Sequence, residues 1–201
     1  ITNLSISNTN SSYTGIFANV NDGTIQNLTV NASVTGLDKT GIIAGEVDEN
    51  STLSNISVSG DVTVQGEKNN VGGVVGNSSG TISNVTNNST VDAPKSDNVG
   101  GVSGFSTADF TDVTNTGTVT GDVEVGGISS YVYKSSTMDN VLNEGDVTGR
   151  YSVGGITGVG AGDSINNAEN TATLTIDKPE AVTGQVGKAG GLVGKLRSEL
   201  T

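Results

Sequence analysis

Small and apolar residues recur along the chain in a fixed order: glycine, two small or branched residues, then Gly, Ala or Ser. A repeat of about 30 residues is typical of stacked units, none of which buries its apolar face alone. The pattern therefore predicts one continuous repeat domain over residues 1–201. The first glycines of the seven copies, at intervals of 26, 32, 28, 26, 28 and 36 residues, are Gly15, Gly41, Gly73, Gly101, Gly127, Gly155 and Gly191.

Between successive motifs, apolar residues alternate with Thr, Ser and Asn as they do in short β-strands. One segment has an apolar-x-x-apolar step, as in Leu53-Ser54-Asn55-Ile56, and another sets Val between polar residues, as in Ser33-Val34-Thr35-Gly36. Val, Ile and Thr favour strands, and glycine recurs too often for a stable helix interior. We expect an all-β fold, a parallel β-helix or β-solenoid of six to seven turns with three short strands per turn.

Two sets of residues are expected to keep the turns in register. The motif glycines let neighbouring backbones approach closely. In four units an asparagine precedes the second apolar residue of the step, and we expect these aligned amides to stack as a ladder. They are Asn27, Asn55, Asn84 and Asn140. The chain opens in mid-pattern, so we expect a piece of a longer protein, with an irregular loop near 176–185.

Charge and missing residue types exclude several function classes. The net charge of −12 works against nucleic acid and anionic membranes as partners. No apolar run approaches the length of about 20 residues that a membrane span requires, so direct insertion is not expected. The chain has no Cys and no His, which rules out thiolate chemistry, imidazole-based triads and His-ligated zinc.

Calcium is the cofactor whose binding the sequence leaves open. Turn carboxylates can join backbone carbonyls around a hard cation, although solvated turn residues explain the same pattern. Asp122 and Glu124, at i and i+2, would share one strand face. The segment Gly158–Ile165 matches the calcium nonapeptide only in part. The candidate ligands are Asp122, Glu124, Glu144, Asp146 and Asp163.

Tyr131 and Tyr133 are the candidate ligand-binding residues. At i and i+2 they lie on the same side of a strand, where other units carry small residues such as Asn77. An aromatic pair of this kind can anchor a glycan or a protein partner, and it can equally fill a gap under a loop. The loop at Asp177–Glu180 is a second candidate region.

The motif Gly191-Leu192-Val193-Gly194 and the step Thr81-Ile82-Ser83-Asn84-Val85 resemble the GLUG repeat. This resemblance extends through all seven motifs, with departures at Ala18, Ala44 and Ser130, which stand at the closing position. GLUG repeats occur in large bacterial surface and secreted proteins, including adhesin-like proteins and M26-type immunoglobulin A1 proteases. The resemblance therefore implies a location outside the bacterial cell, at its surface or wall. It implies no catalytic residue, because the protease motif of that group needs histidine.

Three functional hypotheses follow. The first is a non-enzymatic repeat segment of a large bacterial cell-surface protein, which acts as a stalk or adhesive display surface. The second is a module that binds a host glycan or surface protein through the Tyr131/Tyr133 region or the Asp177–Glu180 loop. The third is a noncatalytic repeat arm of a secreted metalloprotease.

Overall fold

The computed structural model describes residues 1–67, 70–133, 135–162, 164–177 and 187–197. The regular elements in these ranges are β-strands, which stack in parallel, turn upon turn, into a β-solenoid. The predicted all-β parallel solenoid is thereby confirmed. In the same ranges no helix is long and apolar enough to cross a membrane.

The described strands form three parallel sheets along the solenoid. The wide sheet contains β1 (Leu4–Ser7), β3 (Thr24–Gly36), β5 (Thr52–Val64), β8 (Thr81–Asp92), β11 (Asp109–Asn115), β12 (Val119–Thr120), β15 (Thr137–Asn143), β16 (Val147–Gly149), β19 (Ser164–Asn170) and β20 (Leu174–Ile176). The motif sheet contains β2 (Phe17–Val20), β4 (Ala44–Val47), β7 (Val75–Ser78), β10 (Ser103–Ser106), β14 (Ser129–Tyr133), β18 (Thr157–Ala161) and β22 (Val193–Leu196). The narrow sheet contains β6 (Val71–Gly72), β9 (Asn98–Gly100), β13 (Glu124–Gly126), β17 (Ser152–Gly154) and β21 (Lys188–Gly190).

The corners of each turn do not lie where the sequence pattern predicted them. The Val-Gly dipeptide ahead of the motif is a strand of the narrow sheet, and the motif glycine lies at the corner before the motif sheet. The segments predicted as second and third strands form one strand of 13 residues in β3 and in β5. No corner is needed there because Val30, Ala32 and Val34 are buried at every second position of β3. From β11 onward the two segments are separate strands.

The core is a set of columns in which like residues lie above one another. One register position of the wide sheet is occupied by a buried valine in four successive turns. These residues are Val62, Val91, Val119 and Val147. Burial of one such side chain contributes roughly 1.5–3 kcal/mol. Because every turn adds the same contacts to its neighbours, stability accumulates along the stack.

The motif glycines lie where the backbones of adjacent turns come closest. A β-carbon at Gly127 would lie 2.1 Å from the carbonyl oxygen of Gly155, and one at Gly155 would lie 2.1 Å from that of Gly191. At four other motif glycines a β-carbon would lie 2.1–2.7 Å from the nearest backbone atom of the next turn. They are Gly15, Gly41, Gly73 and Gly101. Since β-carbons in proteins essentially never come within 3.0 Å of another heavy atom, these positions accept only glycine.

A buried ladder of asparagines lies against the same glycines, and the sequence analysis did not predict it. Asn87 donates from Nδ2 to Oδ1 of Asn115 at 2.7 Å, Asn115 donates to Asn143 at 2.8 Å, and Asn143 donates to Asn170 at 2.8 Å. A β-carbon at Gly127 would lie 2.3 Å from Cγ of Asn143. The amides therefore fill the space that each missing side chain leaves.

The asparagines named from the sequence form a second ladder, on the solvent-exposed surface of the wide sheet. Asn55 donates to Asn27 at 3.0 Å, and Asn84 donates to Asn55 at 2.6 Å. Asn140 donates to Asp112, which takes the asparagine position in the intervening turn. All five residues have φ between 50° and 57°, in the left-handed region that Asn and Asp tolerate better than other non-glycine residues.

Gly127→Ala is expected to lower the free energy of unfolding by about 3 kcal/mol, because the added methyl group collides with backbone of the next turn, which cannot yield as a side chain can. Gly191→Ala is the matched control, since a β-carbon at Gly191 meets nothing within 4 Å. Urea unfolding followed by circular dichroism measures both changes. Equal destabilisation by the two substitutions would contradict the close backbone packing.

Candidate binding surface

The two predicted tyrosines lie on the outer face of the motif sheet, within a row of three aromatic rings. Tyr131 pairs with Phe105 of the preceding turn, and the two rings stack with centroids 5.4 Å apart and an interplanar angle of 22°. The ring of Tyr133 is tilted against that of Tyr131, with centroids 5.9 Å apart. The sequence analysis missed Phe105, although its position, one turn before Tyr131, could have revealed the row.

Arg197 fixes the tyrosine end of this aromatic row. Its guanidinium lies over the Tyr131 ring, 5.5 Å from the centroid, and Nη1 donates to the Tyr131 hydroxyl at 3.2 Å. Its Nη2 lies 3.6 Å from Oε1 of Glu124 in the narrow sheet. Stacked aromatic pairs and cation–π contacts each stabilise adjacent strands by roughly 0.5–1.5 kcal/mol. The row thus ties consecutive turns together on the outside of the solenoid.

The described carboxylates among the proposed calcium ligands have separate partners or face solvent. Asp122 precedes β13 instead of sharing a strand face with Glu124, and its carboxylate forms a two-pronged ion pair with Arg150 of the next turn. The Oδ1 atom of Asp146 accepts the backbone N–H of Thr173 at 2.9 Å. The side chain of Glu144 is exposed to solvent. Asp163 lies outside the described residues.

Within the described ranges no three acidic side chains come together as a metal site. Calcium takes six to eight oxygen ligands. The Asp122 carboxylate is already bound by a guanidinium, and that of Asp146 by a backbone amide. Calcium binding by these carboxylates stays a prediction from the sequence. Of the loop at Asp177–Glu180, the structure describes Asp177, and residues 178–180 lie outside the described ranges.

Glu124 is a candidate calcium ligand whose ionisation the fold alters. Its side chain is 19% exposed, and burial raises the pKa of its carboxyl above the ordinary value of 4.5, with Asp97 acting in the same direction. The positive charges of Arg197 and Lys195 oppose this shift but do not cancel it. The protonated form of Glu124 is therefore favoured in the folded state relative to the unfolded chain.

The fold is a repeat β-solenoid, and the outer face of its motif sheet carries the aromatic row of Phe105, Tyr131 and Tyr133. No family model and no curated protein matches this sequence. Among solved structures, the chain is similar to the crystal structure of a "putative immunoglobulin A1 protease" from Bacteroides ovatus, with a TM-score of 0.68. The sequences are 22% identical, and the match covers 98% of this chain and 66% of that one.

This likeness shows the fold, which the two chains share over nearly the whole length of this one. At 22% identity it carries over no activity, and no family model matches the repeat itself. The chain spans about two thirds of the solved one, so the activity of any larger protein that contains it belongs to a proposal.

Glu124→Gln is expected to gain stability relative to the parent chain as the pH rises above about 4.5. An acid with a raised pKa in the folded state binds its proton more tightly there, so the free energy of unfolding falls as the pH rises through that pKa. Glutamine cannot ionise and removes this contribution. Urea unfolding at pH 4, 5, 6 and 7 measures the difference.

Glu144→Gln removes one exposed carboxylate and is the matched control. If the difference in stability between Glu124→Gln and the parent chain were the same at every pH, ionisation of Glu124 would not be linked to folding. That result would contradict the effect of its burial.

Proposed function

We propose that the chain is a non-enzymatic repeat segment of a large bacterial protein that works outside the cell, as a stiff stalk or display surface. The observation that carries this proposal is the continuity of the strand ladders. The motif sheet pairs without interruption from β2 to β22, and the wide sheet from β1 to β19. A stack in which each turn contacts only its neighbours extends in one direction and holds its surface at a fixed spacing.

The lack of convergent chemistry in the described residues supports the same proposal. Among the described acidic side chains, Asp122, Glu124 and Glu46 lie against Arg150, Arg197 and Lys39 respectively, and Asp146 binds a backbone amide. A paired-carboxylate hydrolase needs two acids on either side of a substrate bond, whereas Asp122 is held by Arg150 and Glu124 lies beside Arg197. A location at the cell surface or wall follows from the GLUG resemblance.

A second candidate is a noncatalytic arm of a secreted protease. The similarity to a solved structure named as a "putative immunoglobulin A1 protease" favours it, since the match covers 66% of that chain. In either case the segment acts by position and stiffness. The aromatic row of Phe105, Tyr131 and Tyr133 is the part of the motif sheet that we propose for contact with a host glycan or surface protein.

Exposure on intact cells tests the proposed function. Antibodies raised against residues 1–201 are added to cells that produce the full-length protein, and a cytoplasmic marker protein is the control. We expect the antibodies to label intact cells or to detect the protein in the medium, because a stalk or secreted arm lies outside the cell. Labelling that appears only after lysis, together with the cytoplasmic marker, would contradict the proposal.

A further inference from the structure

An amine, a carboxylate and an amide meet beside the motif sheet, across two adjacent turns of the solenoid. Nζ of Lys39 donates to Oε1 of Glu46 at 2.8 Å, and Nδ2 of Asn77 donates to the same oxygen at 2.7 Å. Both nitrogens are bound to one atom, so they lie within two hydrogen-bond lengths of each other. We call Lys39, Glu46 and Asn77 the corner triad.

The backbone fixes the corner triad in this arrangement. Glu46 and Asn77 are register partners in β4 and β7. A β-carbon at Gly76 would lie 2.4 Å from the carbonyl carbon of Lys39, so the absence of a side chain next to Asn77 lets the two backbones come this close. Lys39 has a φ of 48°. This left-handed conformation is unfavourable for lysine and persists only where the surrounding structure imposes it.

The amine of Lys39 is held and partly withdrawn from solvent. Nζ also donates to the hydroxyl of Tyr13 at 3.3 Å and lies 4.6 Å from the centroid of that ring. The side chains of Lys39 and Glu46 are 20% and 29% exposed. Burial lowers the pKa of Lys39, but the hydrogen bonds to Glu46 and Tyr13 outweigh it, so the pKa lies above its ordinary value of 10.5. The amine becomes a nucleophile only when its proton passes to a base, and Glu46 is a base in contact with it.

The side-chain amide of Asn77 is the electrophile within reach of this amine. Its Oδ1 is buried and has no hydrogen-bond partner among the described residues, and leaving a buried acceptor unpaired is costly. Attack on Cγ places negative charge on this oxygen. Once Glu46 has taken a proton from Lys39, its carboxyl group becomes a donor beside the amide and stabilises that charge.

We propose that Lys39 and Asn77 join in an intramolecular isopeptide bond, with Glu46 as the acid–base catalyst. Nζ of Lys39 passes a proton to Glu46 and attacks Cγ of Asn77, which forms the Cγ–Nζ bond. The Cγ–Nδ2 bond then breaks, and Nδ2 leaves as ammonium. Of the three protons on Nζ, one stays on the new amide and two depart with Nδ2 by way of Glu46, which ends as the carboxylate that it was at the start. The reaction consumes no other reactant.

The bond ties two adjacent turns together on the outside of the solenoid. Because it closes the chain between Lys39 and Asn77, it restricts the unfolded chain as a disulfide would. The sequence has no cysteine, so a disulfide cannot take this role. The proposal goes beyond the proposed function and does not depend on where the full-length protein works.

Mass spectrometry of the intact chain 1–201 tests the proposal. The folded chain is first incubated at about pH 9, because a larger fraction of the amine is neutral there than at pH 7. We expect a mass below that of the sequence by one molecule of ammonia, about 17 Da. After proteolysis, tandem mass spectrometry is expected to recover a branched peptide in which Lys39 is joined to Asn77.

Two variants and one control separate the covalent bond from the ion pair. Lys39→Arg keeps a positive charge that can pair with Glu46 but lacks the amine, and Glu46→Gln removes the base. Both are expected to show their full sequence mass. Lys95→Arg replaces an exposed lysine and is expected to lose ammonia as the parent does. Circular dichroism of each variant checks that the β-type spectrum is retained.

Three results would overturn the proposal. The first is the full sequence mass in the parent chain, which would leave the corner triad as an ion pair only. The second is a loss of ammonia confined to one linear peptide, as in the cyclisation of an asparagine side chain onto its own backbone. The third is a loss of ammonia that persists in Lys39→Arg.

Discussion

The structure depends on the contact between the motif glycines from Gly15 to Gly155 and the backbone of the next turn. At Gly73, Gly101, Gly127 and Gly155 a β-carbon would lie 2.1–2.3 Å from a carbonyl oxygen one turn further along. The buried amides of the asparagine ladder fill the remaining space beside these glycines. Close approach and buried hydrogen bonds therefore occur together, because each amide finds its partner only when the turns are at strand spacing.

This constraint explains where the surface is free to vary. The corner between the narrow and motif sheets cannot accept a side chain, and the core columns accept only residues of similar size. The connections from the wide to the narrow sheet that the structure describes in full, 93–97, 121–123 and 150–151, differ in length from two to five residues. Outward-facing strand positions also vary, as Asn77, Phe105 and Tyr131 do at one register position. Candidate binding groups are found in these two places.

The sequence predicted the fold class, the motif glycines and the exposed asparagines, because each recurs with every turn. The sequence analysis placed a corner within the segments that form β3 and β5. It expected turn residues between two short strands there, whereas apolar and polar residues alternate without a break. It missed the buried ladder because Val30 and Val58 occupy that column in the first turns. The Asp122–Arg150 pair joins residues about one turn apart in the sequence, and pairing across turns becomes visible only once the register is known.

Hydrogen exchange followed by mass spectrometry tests the central claim most directly. If the glycine contacts and the buried amides hold the stack together, backbone amides in 101–104, 113–117 and 127–130 exchange last and as one cooperative unit. Amides in the connections 65–67 and 93–97 are expected to exchange much earlier. Exchange of the motif segments as fast as these connections would show that the turns are not held together there, and would contradict the account.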